Sequence, residues 1–161
     1  MSMETKGPGQ EVITPDMEAA KARVISYLNS GKADNAKRVS DAAGLTPEIL
    51  QSQEIRDALK RQIVENFSWG ILHVAADQQA MFPLPEKEYL AAALEGTIDA
   101  LSNGHIDKIE FIKRTEPDFP KDLLQSAELR AAAEKGVEVL VAKGESRARA
   151  EEMVRQLFEE K

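Results

Sequence analysis

Two histidines, His73 and His105, are the clearest candidates for acid–base chemistry or metal binding in this chain. His105 stands two residues before Asp107, and an imidazole and a carboxylate at that spacing could supply two metal ligands. Two ligands do not complete a zinc site, and the chain has no cysteine to add a third. Since each histidine closely follows a glycine, we predict exposed turn histidines, with no metal and no cofactor.

Two pairs of adjacent glutamates, Glu151-Glu152 and Glu159-Glu160, are the next candidates. Paired carboxylates can do general acid–base catalysis when both face one substrate. Neighbours along a helix point to different sides of it, so neither pair can do this. The sequence also has no glycine-rich phosphate loop and no nucleophile elbow. We therefore predict no catalytic residues and a protein that is not an enzyme.

Four glycines, spaced by about 34 to 40 residues, divide the chain into similar units of the length typical of a helix–turn–helix repeat. Glycine readily adopts the left-handed conformation that ends a helix. Each unit has an alanine twelve positions before its glycine and a large apolar residue three positions before it. The glycines are Gly31, Gly70, Gly104 and Gly144; the alanines are Ala19, Ala58, Ala92 and Ala132; the large residues are Leu28, Phe67, Leu101 and Val141.

The repeat predicts an all-α fold, a right-handed stack of about four helix–turn–helix hairpins (an α-solenoid). Apolar residues before the first glycine follow at spacings of three and four, the pattern of an amphipathic helix. Connectors that contain proline separate the units, since proline stops one helix and can start the next. We predict a flexible tail over residues 1–13 and a single repeat domain over residues 14–161. Its units cover approximately residues 14–48, 49–84, 85–122 and 123–161.

Two of the turns carry a family resemblance. GKADNA (Gly31 to Ala36) and GHIDKI (Gly104 to Ile109) resemble the Gly-x-x-Asp-x-Ala turn of tetratricopeptide-type helical hairpins. Residues 14–160 fit such hairpins, but the Trp-x-x-Leu-Gly signature of their first helix is absent. The chain is therefore similar to the broad α-solenoid class. That resemblance implies protein or peptide binding on a curved helical surface, without catalysis.

Charge and composition limit the partners and the location. The formal net charge is −7, and lysine and arginine are scattered along the chain. Nucleic-acid binders usually carry a basic stripe that neutralises phosphates, so a nucleic-acid partner is disfavoured. Charged residues interrupt every apolar stretch that might cross a membrane, and the N-terminus lacks the apolar run of a signal peptide. We expect an acidic cytoplasmic protein with no membrane contact.

Three apolar residues interrupt columns that are polar in the other units. Trp69 and Ile71 flank Gly70, and Phe111 lies seven residues after Gly104. Exposed aromatic and aliphatic side chains of this kind mark interaction surfaces. We predict that these three residues form the partner-binding site, with Trp69 as its anchor. The alternative is that the N-terminal tail or a connector covers them.

Carboxylates concentrate on the first helices of the two middle units, at Glu65, Glu95 and Asp99. We hypothesise that they attract a basic segment of the partner. The alternative is an ordinary solvated helix face.

Together these observations predict a non-catalytic protein- or peptide-binding module that acts as an adaptor, a scaffold or a chaperone-like protein. Two alternatives stay open. One is a small all-α enzyme or ligand-binding protein with a hidden pocket, because Tyr27, Asn66 and Thr97 place polar groups near the predicted core. The other is a homo-oligomeric structural component with Trp69 in its self-interface.

Overall fold

The computed structural model describes residues 14–159, and within that range it contains helices, turns and loops but no β-strand. The predicted all-α fold is therefore confirmed, while the predicted flexible tail (residues 1–13) lies outside the described residues. The α-helices, in chain order, are α1 (Pro15–Asn29), α2 (Ala33–Ala43), α3 (Pro47–Leu50), α4 (Gln53–Ser68), α5 (Leu72–Met81), α6 (Glu86–Ser102), α7 (Ile106–Thr115), α8 (Ala127–Ala142) and α9 (Arg147–Phe158). A short 3₁₀ helix, Lys121–Gln125, precedes α8.

The four predicted turn glycines follow the ends of α1, α4, α6 and α8. All four have a positive φ, between 70° and 99°, which a residue with a side chain adopts only with strain. The N–H of the residue after each glycine donates to the carbonyl five residues earlier, at 2.8–3.0 Å. This bond closes the helix end and lets the next helix start directly.

Residues 14–159 divide into two compact units, with the boundary between Leu59 and Lys60. In the first unit α1 packs against α2, and the buried side chains include Val24 and Leu28 of α1. Ala19 is exposed, contrary to its predicted place in the alanine column. Ala20 is buried instead, because it shares one helix face with Val24 and Leu28 at spacings of four.

In the second unit α6 packs against α8, and α9 packs against both α7 and α8. The predicted core alanines Ala92 and Ala132 are buried here, as are Phe67 and Leu101. Val141 is only half-buried, near the exposed end of α8, so its prediction as a core residue was wrong.

Two glycines inside helices lie where neighbouring helices of the second unit pack closely. A Cβ atom on Gly96 of α6 would lie 2.3 Å from the carbonyl oxygen of Val64 on α4. A Cβ atom on Gly136 of α8 would lie 2.1 Å from the carbonyl oxygen of Leu101 on α6. Each glycine lies eight residues before a turn glycine, so these two helices use the same position for close approach.

Candidate partner-binding site

The candidate site is centred on the turn between α4 and α5. Trp69 is 59% exposed and Ile71 is 38% exposed, while Phe111 on α7 is 54% exposed. These three are the large apolar side chains that stand exposed in residues 14–159. The other large apolar residues in that range are buried or half-buried, so the exposed apolar surface of the described chain comes from these three positions of the second unit.

The local backbone explains why Trp69 and Ile71 leave the core. α4 ends at Ser68, and Gly70 turns the chain with a φ of 70°. The N–H of Ile71 donates to the carbonyl of Asn66 at 2.8 Å, so a backbone hydrogen bond closes the turn. The buried positions on either side are taken by Phe67 and Leu72, which leaves the intervening side chains outside.

Helix α7 lies directly against this turn through Lys108. A Cβ atom on Gly70 would lie 3.1 Å from the Cβ of Lys108, and the Lys108 ammonium is 5.7 Å from the centroid of the Trp69 ring. A cation over an indole face at that distance is attracted by the ring quadrupole. The contact therefore positions the indole without burying it.

Phe111 joins the same surface one helical turn further along α7. It lies three residues after Lys108, and residues at that spacing are neighbours on a helix surface. Arg114 follows after three more residues, and its guanidinium carbon is 5.6 Å from the centroid of the Phe111 ring. Trp69, Lys108, Phe111 and Arg114 thus alternate between ring and cation, and we call them the aromatic–cationic row.

Lys108 contacts the Trp69 ring and lies one helical turn before Phe111 on α7, whereas no contact among residues 14–159 joins Ile71 to Phe111. Lys108 and Arg114 were not among the site residues predicted from the sequence. Their spacing of three on either side of Phe111 could have indicated them, but a lysine and an arginine on an exposed helix are common enough to be overlooked.

The three predicted acidic residues occupy exposed positions on the adjoining helices. The hydroxyl of Ser68, at the end of α4, donates to the carboxylate of Asp99 on α6. Glu65 lies one turn before Ser68, and Glu95 lies one turn before Asp99. The amide of Asn103 donates to the Asp99 backbone carbonyl at 2.8 Å and also lies 3.4 Å from its carboxylate.

Trp69 has both an acidic and a basic side chain close to it. Glu65 precedes Trp69 by four residues and so adjoins it on α4, while the Lys108 ammonium lies over the ring. Among residues 14–159, no lysine or arginine forms an ion pair with Glu65, Glu95 or Asp99. Carboxylates that form no ion pair within residues 14–159 therefore lie on the helices beside the indole, and the Lys108 ammonium lies over its face.

The structure does not bring the histidines and the buried polar residues named above together into a site. His73 is exposed as predicted, whereas His105 is half-buried, so its prediction as an exposed turn histidine was wrong. The described part of the chain has no group of three or more histidine, aspartate or glutamate side chains that could hold a metal ion. Thr97 is fully buried, and its hydroxyl donates to the Ala93 carbonyl of its own helix at 2.7 Å.

Comparison of the chain with protein-family models, with curated proteins and with solved structures finds no match. Within residues 14–159, no helix combines the length and the apolar character needed to cross a membrane.

Proposed function

We propose that this chain is a non-catalytic helical repeat module that binds a protein or peptide partner through the surface around Trp69. We further propose that α1/α2, α4/α5, α6/α7 and α8/α9 are the hairpins of a right-handed, tetratricopeptide-like stack. The support for the repeat is the shared backbone geometry at the four turn glycines. The common close-contact position of Gly96 and Gly136 supports it independently.

The exposure of Trp69 is the observation on which the binding site depends. An indole that is 59% exposed leaves a large apolar area in water, at a free-energy cost that a partner pocket would relieve. Tryptophan and arginine are enriched among the residues that contribute most to binding energy. The aromatic–cationic row presents both types on one surface.

The aromatic–cationic row and the three nearby carboxylates indicate which groups the partner would present. An apolar side chain of the partner would pack on Trp69 and Phe111. Acidic groups of the partner would face Lys108 and Arg114, and basic groups would face Glu65, Glu95 and Asp99. Charge pairs at the rim of an interface chiefly set orientation and association rate. We therefore expect Trp69 to contribute most of the binding free energy.

The test is site-specific photo-crosslinking followed by affinity measurement with the purified captured partner. A photoreactive amino acid at Ile71 should crosslink that partner, whereas the same group at exposed Glu151 on α9 should not. Trp69→Ala should then weaken binding by about 30-fold or more, the effect of losing an interface anchor. Lys143→Ala is the matched control, since Lys143 precedes Gly144 as Trp69 precedes Gly70.

Two results would reject the proposal. Equal affinities of the wild-type chain and Trp69→Ala for the partner would show that the partner does not bind at this surface. Sedimentation velocity that shows a dimer, dissociated by Trp69→Ala in the absence of any partner, would instead favour the homo-oligomeric alternative.

A further inference from the structure

A groove with a volume of about 1150 Å³ lies in the second unit, away from Trp69. The end of α7, the short 3₁₀ helix, the start of α8 and the end of α9 form its walls. Its lining includes four cationic side chains, Lys113, Arg114, Lys121 and Arg130. The lining also includes three carboxylates, Glu110, Asp122 and Glu159, so the wall has a formal net charge of +1 (four cations less three carboxylates) in a chain whose net charge is −7.

Arg130 is the most distinctive group in this groove. Its guanidinium carbon lies 4.1 Å from the centroid of the Phe158 ring, a stacking distance. Stacking fixes the plane of the guanidinium and leaves its N–H donors at the edge free for hydrogen bonds. Among residues 14–159, no carboxylate forms an ion pair with Arg130. The group is therefore oriented but has no anionic partner within the described chain.

Two further features add positive potential beside Arg130. Lys121 also lines the groove, and it too has no ion-pair partner within the described range. Ser126 and Ala127 form the wall at the N-terminus of α8, where the helix dipole favours negative charge. Ser126 caps that helix by accepting the Leu129 N–H at 3.3 Å.

Most of the remaining charges in the wall are already engaged. Lys113 donates to three backbone carbonyls at the end of α9, at 2.6–3.2 Å, and so closes that side of the groove. Glu110 is paired with Arg114 at 3.3 Å, and Glu159 lies 3.8 Å from Arg155. Asp122 is the one lining carboxylate without an ion-pair partner among residues 14–159. Arg130 and Lys121 therefore leave an excess of unpaired positive charge.

We infer that this groove binds an acidic peptide segment of a partner protein. A side-chain carboxylate of the segment would accept paired hydrogen bonds from the Arg130 guanidinium, with Lys121 contributing a second positive charge. An apolar neighbour in the segment would pack against Leu124, which is half-buried in the groove wall. This site shares only Arg114 with the aromatic–cationic row, so it is tested separately from the Trp69 site.

The experiment measures fluorescence anisotropy of a labelled peptide, Glu-Asp-Leu-Glu-Glu-Leu-Asp-Glu, with the full chain. A peptide of the same length with glutamine and asparagine in place of the acids is the ligand control. Arg130→Gln should weaken binding by about ten-fold or more, as expected for losing a charge-assisted bidentate contact. Arg130→Lys should recover only part of that loss, because lysine cannot form the paired bonds.

Lys135→Gln is the matched protein control. Lys135 is exposed on the same helix, α8, and removing it changes the net charge equally without altering the groove lining. It should leave the affinity within about two-fold of wild type, since Lys135 is exposed and does not line the groove, so it cannot hydrogen-bond a carboxylate bound there. Trp69→Ala should also leave it unchanged, which separates this site from the Trp69 surface.

Four outcomes would overturn the inference. Equal losses of peptide affinity in Arg130→Gln and Lys135→Gln would show that binding depends only on the net charge of the protein. Equal binding of the uncharged peptide would exclude carboxylate recognition. Complete displacement by inorganic phosphate alone would indicate a small-anion site. Tighter, Arg130-dependent binding of oligouridylate would make the groove a nucleic-acid site.

Discussion

Gly136 of α8 lies so close to Leu101 of α6 that an added Cβ atom would stand 2.1 Å from the Leu101 carbonyl oxygen. That separation is far below van der Waals contact, and the obstructing atom belongs to the backbone of a helix. The Gly136 backbone is an ordinary right-handed helix, so its conformational freedom is not what the position needs. The position requires the absence of a side chain.

Gly136→Ala should therefore destabilise the protein, although alanine is the better helix former. Replacing glycine by alanine inside an exposed helix normally stabilises it by about 0.5–1 kcal/mol. Here the methyl group must push α8 away from α6, and we expect a net loss of about 1–3 kcal/mol, typical of overpacking. Urea unfolding followed by circular dichroism measures the difference.

Ala131→Gly is the matched control for that substitution, because Ala131 is exposed on the same helix. It should cost only the propensity difference, about 1 kcal/mol. If Gly136→Ala proved as stable as the wild-type chain, the close contact between α6 and α8 would be wrong.

Ala92→Leu should destabilise α6 packing through a different contact. Ala92 is 4% exposed, whereas its neighbour Ala91 is exposed on the same helix. We expect Ala92→Leu to cost about 1–3 kcal/mol because the added atoms have no space. Ala91→Leu should change stability by less than about 0.5 kcal/mol, as surface substitutions usually do. Thermal unfolding of both variants provides the comparison, and equal melting temperatures would contradict the burial pattern.

The sequence predicted the helix ends better than the helix contacts. Gly70 and Gly104 end helices as expected, because a glycine after an apolar stripe has a local backbone role that spacing reveals. Gly96 and Gly136 were missed, because a glycine in mid-helix has no local advantage and its role depends on a neighbouring helix. The buried alanine of α1 was predicted one residue too early, at Ala19 instead of Ala20. A shift of one residue along a helix is enough to move a side chain off the buried face.

In the candidate site, too, residues with a local signal could be predicted, whereas residues whose role depends on packing could not. Trp69 and Phe111 could be singled out because they break the polar character of their columns. Lys108 could not, because its role depends on where α7 meets the Gly70 turn. Arg130 and Phe158 lie far apart in the chain and meet only through the packing of α8 and α9, so no spacing indicated the groove.

Trp69 should fluoresce with the red-shifted emission of a solvated indole, because it is the single tryptophan and is 59% exposed. Iodide should quench it strongly, since the Lys108 ammonium, 5.7 Å from the ring centroid, attracts the anion. Lys108→Gln should lower quenching by iodide at low salt while leaving quenching by neutral acrylamide unchanged. A blue-shifted emission that resists both quenchers would show that the indole is covered, and the binding site would have to be abandoned.

Tyr89 should make the protein sensitive to alkali. Its ring packs edge-on against Phe67, with 6.3 Å between the ring centroids. Burial raises the pKa of the Tyr89 hydroxyl above its ordinary value of 10.0, and the negative charge of Asp118 raises it further. The folded protein thus disfavours the phenolate more than the unfolded chain does. This contribution to stability is present in full below pH 10 and is lost as the pH rises through the raised pKa of the folded state.

The two tyrosines of the chain make this dependence measurable. In Tyr27→Phe, ultraviolet absorbance of the phenolate should follow Tyr89 alone, and its midpoint should lie at higher pH in buffer than in concentrated urea. Tyr89→Phe keeps the aromatic ring against Phe67 but removes the titrating hydroxyl. Its free energy of unfolding should therefore fall less steeply than that of the wild-type chain above pH 10. Identical phenolate midpoints in the folded and urea-unfolded Tyr27→Phe chains would show that the Tyr89 hydroxyl is solvated.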